Sequence, residues 1–285
     1  MLYRAQVVEC LTGSNRMDAK AESNVCWPRL AGIALGLGTQ ICFGLTVCLL
    51  FLFLRDGSSG GPNDWLVLDF LLALQFAVVH SVLLLPSVRR LLSRFMPSQL
   101  FGSLFCLTTC VGLWLVFAYW RGTSTILWNA TGLGRLAVWG GFYASWVSLF
   151  FSLRLTGIGY QTGWTQWFYW LRRQSLPLRE FKERGVYRWL RHPVYLSFLG
   201  LVWFTPRMSA DHAVLTGVWT VYVFVGSYLK DRRLAFYLGD TYREYASRVP
   251  GYPGMLFGPL GKWRRHNASR RAGAIVVETA AQRAA

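Results

Sequence analysis

Charge is scarce in this chain of 285 residues: only 15% are Asp, Glu, Lys or Arg, and the acids number 13 against 30 bases. Soluble domains usually carry about 25% charged residues, so a water-soluble globular enzyme is excluded. Histidine is rarer still, at four residues, and the six cysteines Cys10, Cys26, Cys42, Cys48, Cys106 and Cys110 contain no CxxC pair. That removes the common spacings of zinc and dithiol sites, and no metal is expected. Cys106 and Cys110 share one helix face, as buried inert thiols do. There is no internal repeat. No cleavable signal peptide is expected either, because residues 1–29 carry dispersed charges ahead of an apolar run too long for one.

Hydrophobic residues make up 53% of the chain and fall in long blocks. Leu30 to Leu54, Trp65 to Leu85, Leu100 to Trp120 and Leu136 to Leu153 are each close to the ~20 residues that cross a bilayer as helix. Val194 to Pro206 and Ala213 to Leu229 are shorter, parted by Arg207 to His212, and read as two further short spans. The expected architecture is an all-α integral membrane protein of about six transmembrane helices. Its membrane domain is residues 30–260, between an amino-terminal tail, 1–29, and a basic, disordered carboxyl-terminal tail, 261–285, which begins with Lys262, Arg264, Arg265, Arg270 and Arg271. Gly57 to Pro62 reads as a flexible loop.

The bases orient the chain. Arg4, Arg16, Lys20 and Arg29 precede the first span, Arg89, Arg90 and Arg94 follow the second, and Arg154, Arg172, Arg173, Arg179, Lys182, Arg184, Arg188 and Arg191 lie between the fourth and fifth. The alternate loops are poor in Lys and Arg, so the positive-inside rule places both termini in the cytoplasm. The net charge of +17 therefore reads as a solvated face beside anionic lipid rather than a nucleic-acid surface.

The richest stretch is Gly185 to Tyr195, GVYRWLRHPVY. Pro193 lacks an N–H and suits the first turn of a helix, which leaves Arg191 and His192 in non-helical backbone where a charged loop enters the membrane. Ionisable and aromatic groups at such a boundary mark a site by default, although headgroup contact by Arg191 and His192 satisfies the same pattern. After the last span, Lys230-Asp231-Arg232-Arg233 and then Gly239, Tyr242, Tyr245 and Val249-Pro250 return to the level of His192. His80 and His212 sit at different depths, which does not suit an axially ligated haem.

On these residues, over roughly 65 to 255, the chain resembles the isoprenylcysteine carboxyl methyltransferase superfamily, whose signature is a basic-His-Pro-x-Tyr turn, acids, and a glycine followed by two spaced tyrosines and Val-Pro. Within it the chain is most similar to the bacterial methanethiol S-methyltransferase and NnrU-like branch, to which nurim is related. That similarity rests on His80-Ser81, on Leu155-Thr156-Gly157-Ile158 with Gln161, and on Trp203-Phe204-Thr205-Pro206-Arg207-Met208 with His212.

The resemblance implies S-adenosylmethionine as cofactor, in a cytoplasm-facing pocket near the carboxyl-terminal helices of a bacterial inner-membrane protein. Carried over by position, Tyr187, His192, Pro193, Val194, Tyr195, Asp231, Tyr242 and Tyr245 would hold the cofactor. Arg191, which would favour a thiolate, and His80 on the substrate side are the catalytic candidates. A small or lipophilic thiol such as methanethiol is the implied substrate. Carboxyl or lipid methylation, and a non-catalytic nurim-like protein, stay open. The chain departs from the pattern at Lys230, where family members carry an acid, and at Ser197, where glycine is common.

Overall fold

The computed structural model describes residues 26–57, 65–177 and 181–264. Residues 1–25 and 265–285, which hold most of the two expected tails with Arg265, Arg270 and Arg271, lie outside the described residues, as do Arg179 and most of the Gly57 to Pro62 loop.

Every long apolar run is a helix. In chain order the elements are α1 (Cys26–Asp56), α2 (Leu66–Leu83), α3 (Pro86–Leu92), α4 (Phe101–Tyr119), β1 (Ile126–Asn129), α5 (Gly132–Thr156), α6 (Ile158–Gln161), α7 (Trp164–Leu171), α8 (Pro193–Trp203), β2 (Arg207–Ser209), α9 (Ala210–Leu238) and α10 (Asp240–Arg248). By length and apolarity five of them, α1, α2, α4, α5 and α9, suffice to cross a membrane. In hydrocarbon only a helix or a closed barrel satisfies its own backbone, and this multi-pass protein takes the first solution.

Of the two final helices expected to be short, one is. Helix α8 has 11 residues, but α9 has 29 and continues through Lys230-Asp231-Arg232-Arg233 to Gly239, whose φ of +58° ends it. Those charges do not interrupt the helix: Asp231 is buried, Lys230 is half-buried, and Arg232 and Arg233 are exposed. From Ala210 to Asp231 α9 covers about 30 Å. Helix α8 is apolar but shorter than the membrane-crossing helices, and it ends in a tight turn at Phe204, where Thr205 N donates to the Trp203 carbonyl at 2.9 Å.

Around the bundle, α1 packs on α4, α4 on α2, α2 on α9, α9 on α8 and α8 on α5. Phe51 of α1 closes the ring against Phe142 and Trp146 of α5, at 5.9 and 5.7 Å between ring centroids. Lipid is as apolar as leucine, so helices in it associate through close packing of small residues. The α5–α8 seam follows that rule: Gly141 takes the Phe204 ring, and Gly200 takes the Ser145 side chain. Ser197, a departure from the family pattern, fits by bonding Ser148 Oγ at 2.9 Å.

One end of the bundle is closed by backbone. Strands β1 and β2 pair antiparallel, Trp128 opposite Met208 and Asn129 opposite Arg207. The Trp203 to Met208 motif works here: the Thr205 carbonyl accepts from Trp128 Nε1 at 3.2 Å and the Pro206 carbonyl from Ala130 N at 2.7 Å. Beside the sheet, buried Asp211 accepts from Trp120 Nε1 at 2.9 Å and from Thr123 N and Oγ1, both at 3.1 Å. His212 lies at this end and His80 on the last turn of α2 at the other, as their expected difference in depth requires.

At the other, basic end, α7 lies across the starts of α1 and α4. Trp167 donates to the Gly32 carbonyl at 2.9 Å and its indole occupies the space over Gly36. Gly163 introduces α7 at a φ of +78°, and a Cβ there would meet the backbone of Gly102 and Ser103. Gly163→Ala is therefore expected to lose about 1–3 kcal/mol from backbone strain alone, with displacement of α7 added. Thermal unfolding of the purified variant, expected well below that of the native chain, checks this.

Candidate active site

Pro193 is the first residue of α8, and His192, at φ −123° and ψ 47°, is the non-helical residue before it. The proline thus positions two consecutive side chains, both of which turn inward: Arg191 is 2% exposed and His192 is fully buried. Their common partner is Asp231, which is also fully buried. Its Oδ2 lies 3.1 Å from Arg191 Nη2 and 3.1 Å from His192 Nε2, and its Oδ1 accepts from the Tyr242 hydroxyl.

Arg191 reaches further. It donates to the carbonyls of Ala246 and Pro259 at 3.2 Å and of Gly261 at 2.8 Å, and its guanidinium lies over the Trp263 ring. The backbone N–H of Arg191 in turn donates to the Pro250 carbonyl at 2.9 Å. One side chain therefore fixes α10 and the irregular segment after it to α8 and α9. Burying an ion pair costs several kcal/mol per ion unless hydrogen bonds satisfy both partners, and these carbonyls supply them.

A second small core of Ala235, Tyr242, Tyr245, Ala246 and Val249 forms on this framework. Phe181 sets its edge against Tyr242 and Tyr245, at 5.8 and 5.2 Å, and Tyr245 donates to the Tyr187 carbonyl at 2.6 Å. Burial pushes the hydroxyls of Tyr242 and Tyr245 above their ordinary range, so both stay protonated donors at neutral pH.

Between these aromatic groups and the ends of α5 and α6 lies a cavity of about 560 Å³. Its wall includes Leu155, Thr156, Tyr160 and Gln161 on one side, Phe181, Glu183 and Tyr187 on another, and Lys230, Leu234, Tyr242 and Tyr245 on the third, with Arg191 at its base. That volume lies within the range of roughly 300–1,000 Å³ typical of small-molecule sites.

Of the residues singled out from the sequence, Tyr187, Arg191, Tyr242 and Tyr245 line this cavity. His192 and Asp231 stand behind the wall and hold Arg191 and Tyr242 in it. Pro193 begins α8, Val194 packs against the main core, and the Tyr195 ring lies under Lys230 Nζ at 5.3 Å. His80 is not in the wall: it faces α9, with Nδ1 2.6 Å from the Tyr222 hydroxyl and the Phe105 ring edge-on at 4.7 Å. Phe181 and Glu183 of the wall belong to no motif of the sequence, and Lys182 stands out there only as one of the orienting bases. They sit in a charged loop with no helical period, and their only signal is that an aromatic residue lies beside an acid in an otherwise basic stretch.

The departure at Lys230 also has a geometry. Lys230 lines the cavity, whereas Arg232 lies on the outer side over the Tyr228 ring and Arg233 is not in the wall. Glu183, the acid of the wall, is paired with Arg248 at 2.8 Å.

Burial pushes the His192 imidazole below its ordinary range, against the opposing pull of Asp231. The native ring therefore resists a proton that the unfolded chain accepts at about pH 6.5. Stability is fully present above that pH and falls as acid is added below it, because the unfolded state then binds more protons. The melting temperature is expected to drop between about pH 7 and pH 5, and His192→Gln should flatten that dependence; a thermal-shift series in pH measures both.

No family model matches the chain, and no solved structure matches it. Among curated proteins it is 30% identical over 243 residues to a methanethiol S-methyltransferase of Pseudomonas sp., covering 80% of this chain and 90% of that protein. It is 31% identical over 184 residues to the methanethiol S-methyltransferase of Mycobacterium tuberculosis, covering 64% of this chain and 75% of that protein. Nurim of Rattus norvegicus is 26% identical over 243 residues, covering 75% of this chain and 91% of that protein. The chain belongs to the methanethiol S-methyltransferase family, within the isoprenylcysteine carboxyl methyltransferase-like branch.

Proposed function

We propose that this protein is an S-adenosylmethionine-dependent membrane methyltransferase that methylates a small or lipophilic thiol of the methanethiol kind. The observation that carries this is the cavity at the basic end, walled by Tyr187, Tyr242 and Tyr245, with the Asp231 network behind it, in a chain of this family. When bound, the cofactor supplies a methyl group activated on a sulfonium sulfur.

The wall suits such a molecule. Tyr187, Tyr242 and Tyr245 offer aromatic surface to a purine, and Lys230 and Lys182 offer cations to a carboxylate. Glu183 provides the opposite charge for an ammonium. Lys230, placed over the Tyr195 ring, thus serves the cofactor's carboxylate end, in place of the acid that the family pattern has at this position. Arg191, neutralised by Asp231 and bonded to three carbonyls, acts as a positioning residue for the cavity rather than a free cation beside the thiol. His80 with Tyr222 is the candidate group on the thiol side, since ionisable residues inside a bundle are functional by default.

Methyl transfer asks chiefly for alignment and exclusion of water, and the three walls of the cavity offer surfaces for the first. The membrane domain spans residues 30–260, with both termini in the cytoplasm of a bacterial inner membrane. The test is incubation of detergent-purified protein with S-adenosylmethionine and methanethiol, with headspace measurement of dimethyl sulfide. Calorimetric titration of the cofactor runs in parallel. A folded protein that binds no S-adenosylmethionine would establish the non-catalytic alternative, and binding with turnover only on a prenylcysteine or a phospholipid would move the substrate class.

A further inference from the structure

A second recess lies at the basic end, on the outer side of α9, and shares no lining residue with the cavity of the proposed active site. Its volume is about 640 Å³, between Tyr228 and Arg232 of α9 and the segment Phe257 to Arg264. Arg232, Lys262 and Arg264 bring three cations into it, no acid contributes to its wall, and among the described residues none of the three pairs with a carboxylate. Such a recess is complementary to an anion.

Its rim is apolar and turned outward. Phe257 is 81% and Leu256 66% exposed at a turn shaped by Gly254 and Gly258, at φ +77° and +102°, and Phe236 and Tyr237 of α9 are exposed as well. Such side chains are costly in water and at home against acyl chains. Cations with aromatic and aliphatic neighbours at the end of a membrane helix match a lipid whose phosphate lies among Arg232, Lys262 and Arg264 and whose tails run past Phe257. The recess is also built rather than incidental. Arg191 holds the carbonyls of Pro259 and Gly261, which fixes its floor against α8 and α9.

We propose that this recess binds the headgroup phosphate of an anionic phospholipid. The recess stands independently of the methyl-transfer reading, because its ligand touches none of the cavity wall.

The test is titration of phosphatidylglycerol and of phosphatidylcholine into the detergent-purified chain, read by native mass spectrometry. One phosphatidylglycerol is expected to bind in preference to phosphatidylcholine. The variant R232Q/K262Q/R264Q should weaken it roughly a hundredfold, at about one surface-lipid interaction per lost cation. A charge-matched variant at the same end, R89Q/R90Q/R94Q, should keep it. If the triple variant does not purify folded, Lys262→Gln and Arg264→Gln are read singly, each with about a fivefold loss. Equal affinity for the two lipids, or equal loss in the charge-matched variant, overturns the proposal by reducing it to general attraction. Displacement by inorganic phosphate overturns it in favour of a soluble anion.

Discussion

Asp231→Ala is expected to remove cofactor binding and much of the stability together. The carboxylate is the common acceptor for Arg191, His192 and Tyr242. Its removal leaves a guanidinium with a fully buried side chain facing only neutral carbonyls. Breaking one partner from a buried pair costs about 3–5 kcal/mol. The Tyr242 hydroxyl, held above its ordinary range by burial, loses its acceptor as well and adds about 1–3 kcal/mol. Thermal unfolding measures the first loss and calorimetric titration of S-adenosylmethionine the second. The double replacement Arg191→Met with Asp231→Leu separates them: apolar side chains in place of the pair should restore most of the stability, while cofactor binding stays absent. If binding returned with stability, the network would be structural only.

Asp211→Ala is expected to give the opposite pattern at the strand end. Asp211 is the acceptor for Trp120 Nε1 and for both donors of Thr123. With the carboxylate gone, buried donors lose their partner at about 1–3 kcal/mol each, so the total is several kcal/mol. The cavity is at the other end of the bundle and shares no residue with this cluster. The surviving folded protein should therefore bind S-adenosylmethionine with unchanged affinity. Unfolding and titration on the same preparation check both halves, and a weakened affinity would mean that the two ends are coupled.

The helices were legible in the sequence because burial in lipid demands long unbroken apolar runs, as in Leu30 to Leu54 and Leu136 to Leu153. The length of α9 was not. Lys230 to Arg233 looks like the start of a loop, and only the fold shows that Asp231 turns inward while Arg232 and Arg233 face out. The linear motif led to Tyr187, Arg191, Tyr242 and Tyr245, which do meet in one wall. It could not disclose that the partners of Arg191 are carbonyls of Ala246, Pro259 and Gly261, since a backbone acceptor leaves no mark on the side-chain pattern. Phe181 and Glu183 read as ordinary loop residues for a different reason: their partners Tyr242, Tyr245 and Arg248 are some sixty residues away, and their own loop has no period to mark a face. The Trp203 to Met208 motif, as specific in appearance as the His192 turn, proved to shape the strand end instead.

The pairing of β1 with β2 has a mechanical corollary. These strands tie the α4–α5 connection to the α8–α9 connection by backbone hydrogen bonds at one end. At the other end α8 and α9 are joined through side chains, with Arg191 and Asp231 at the centre. Ladder bonds resist shear over their whole length, whereas a side-chain junction yields by rotamer changes. Between α8 and α9, the stiffer joint therefore lies at the sheet and the more yielding one beside the cavity.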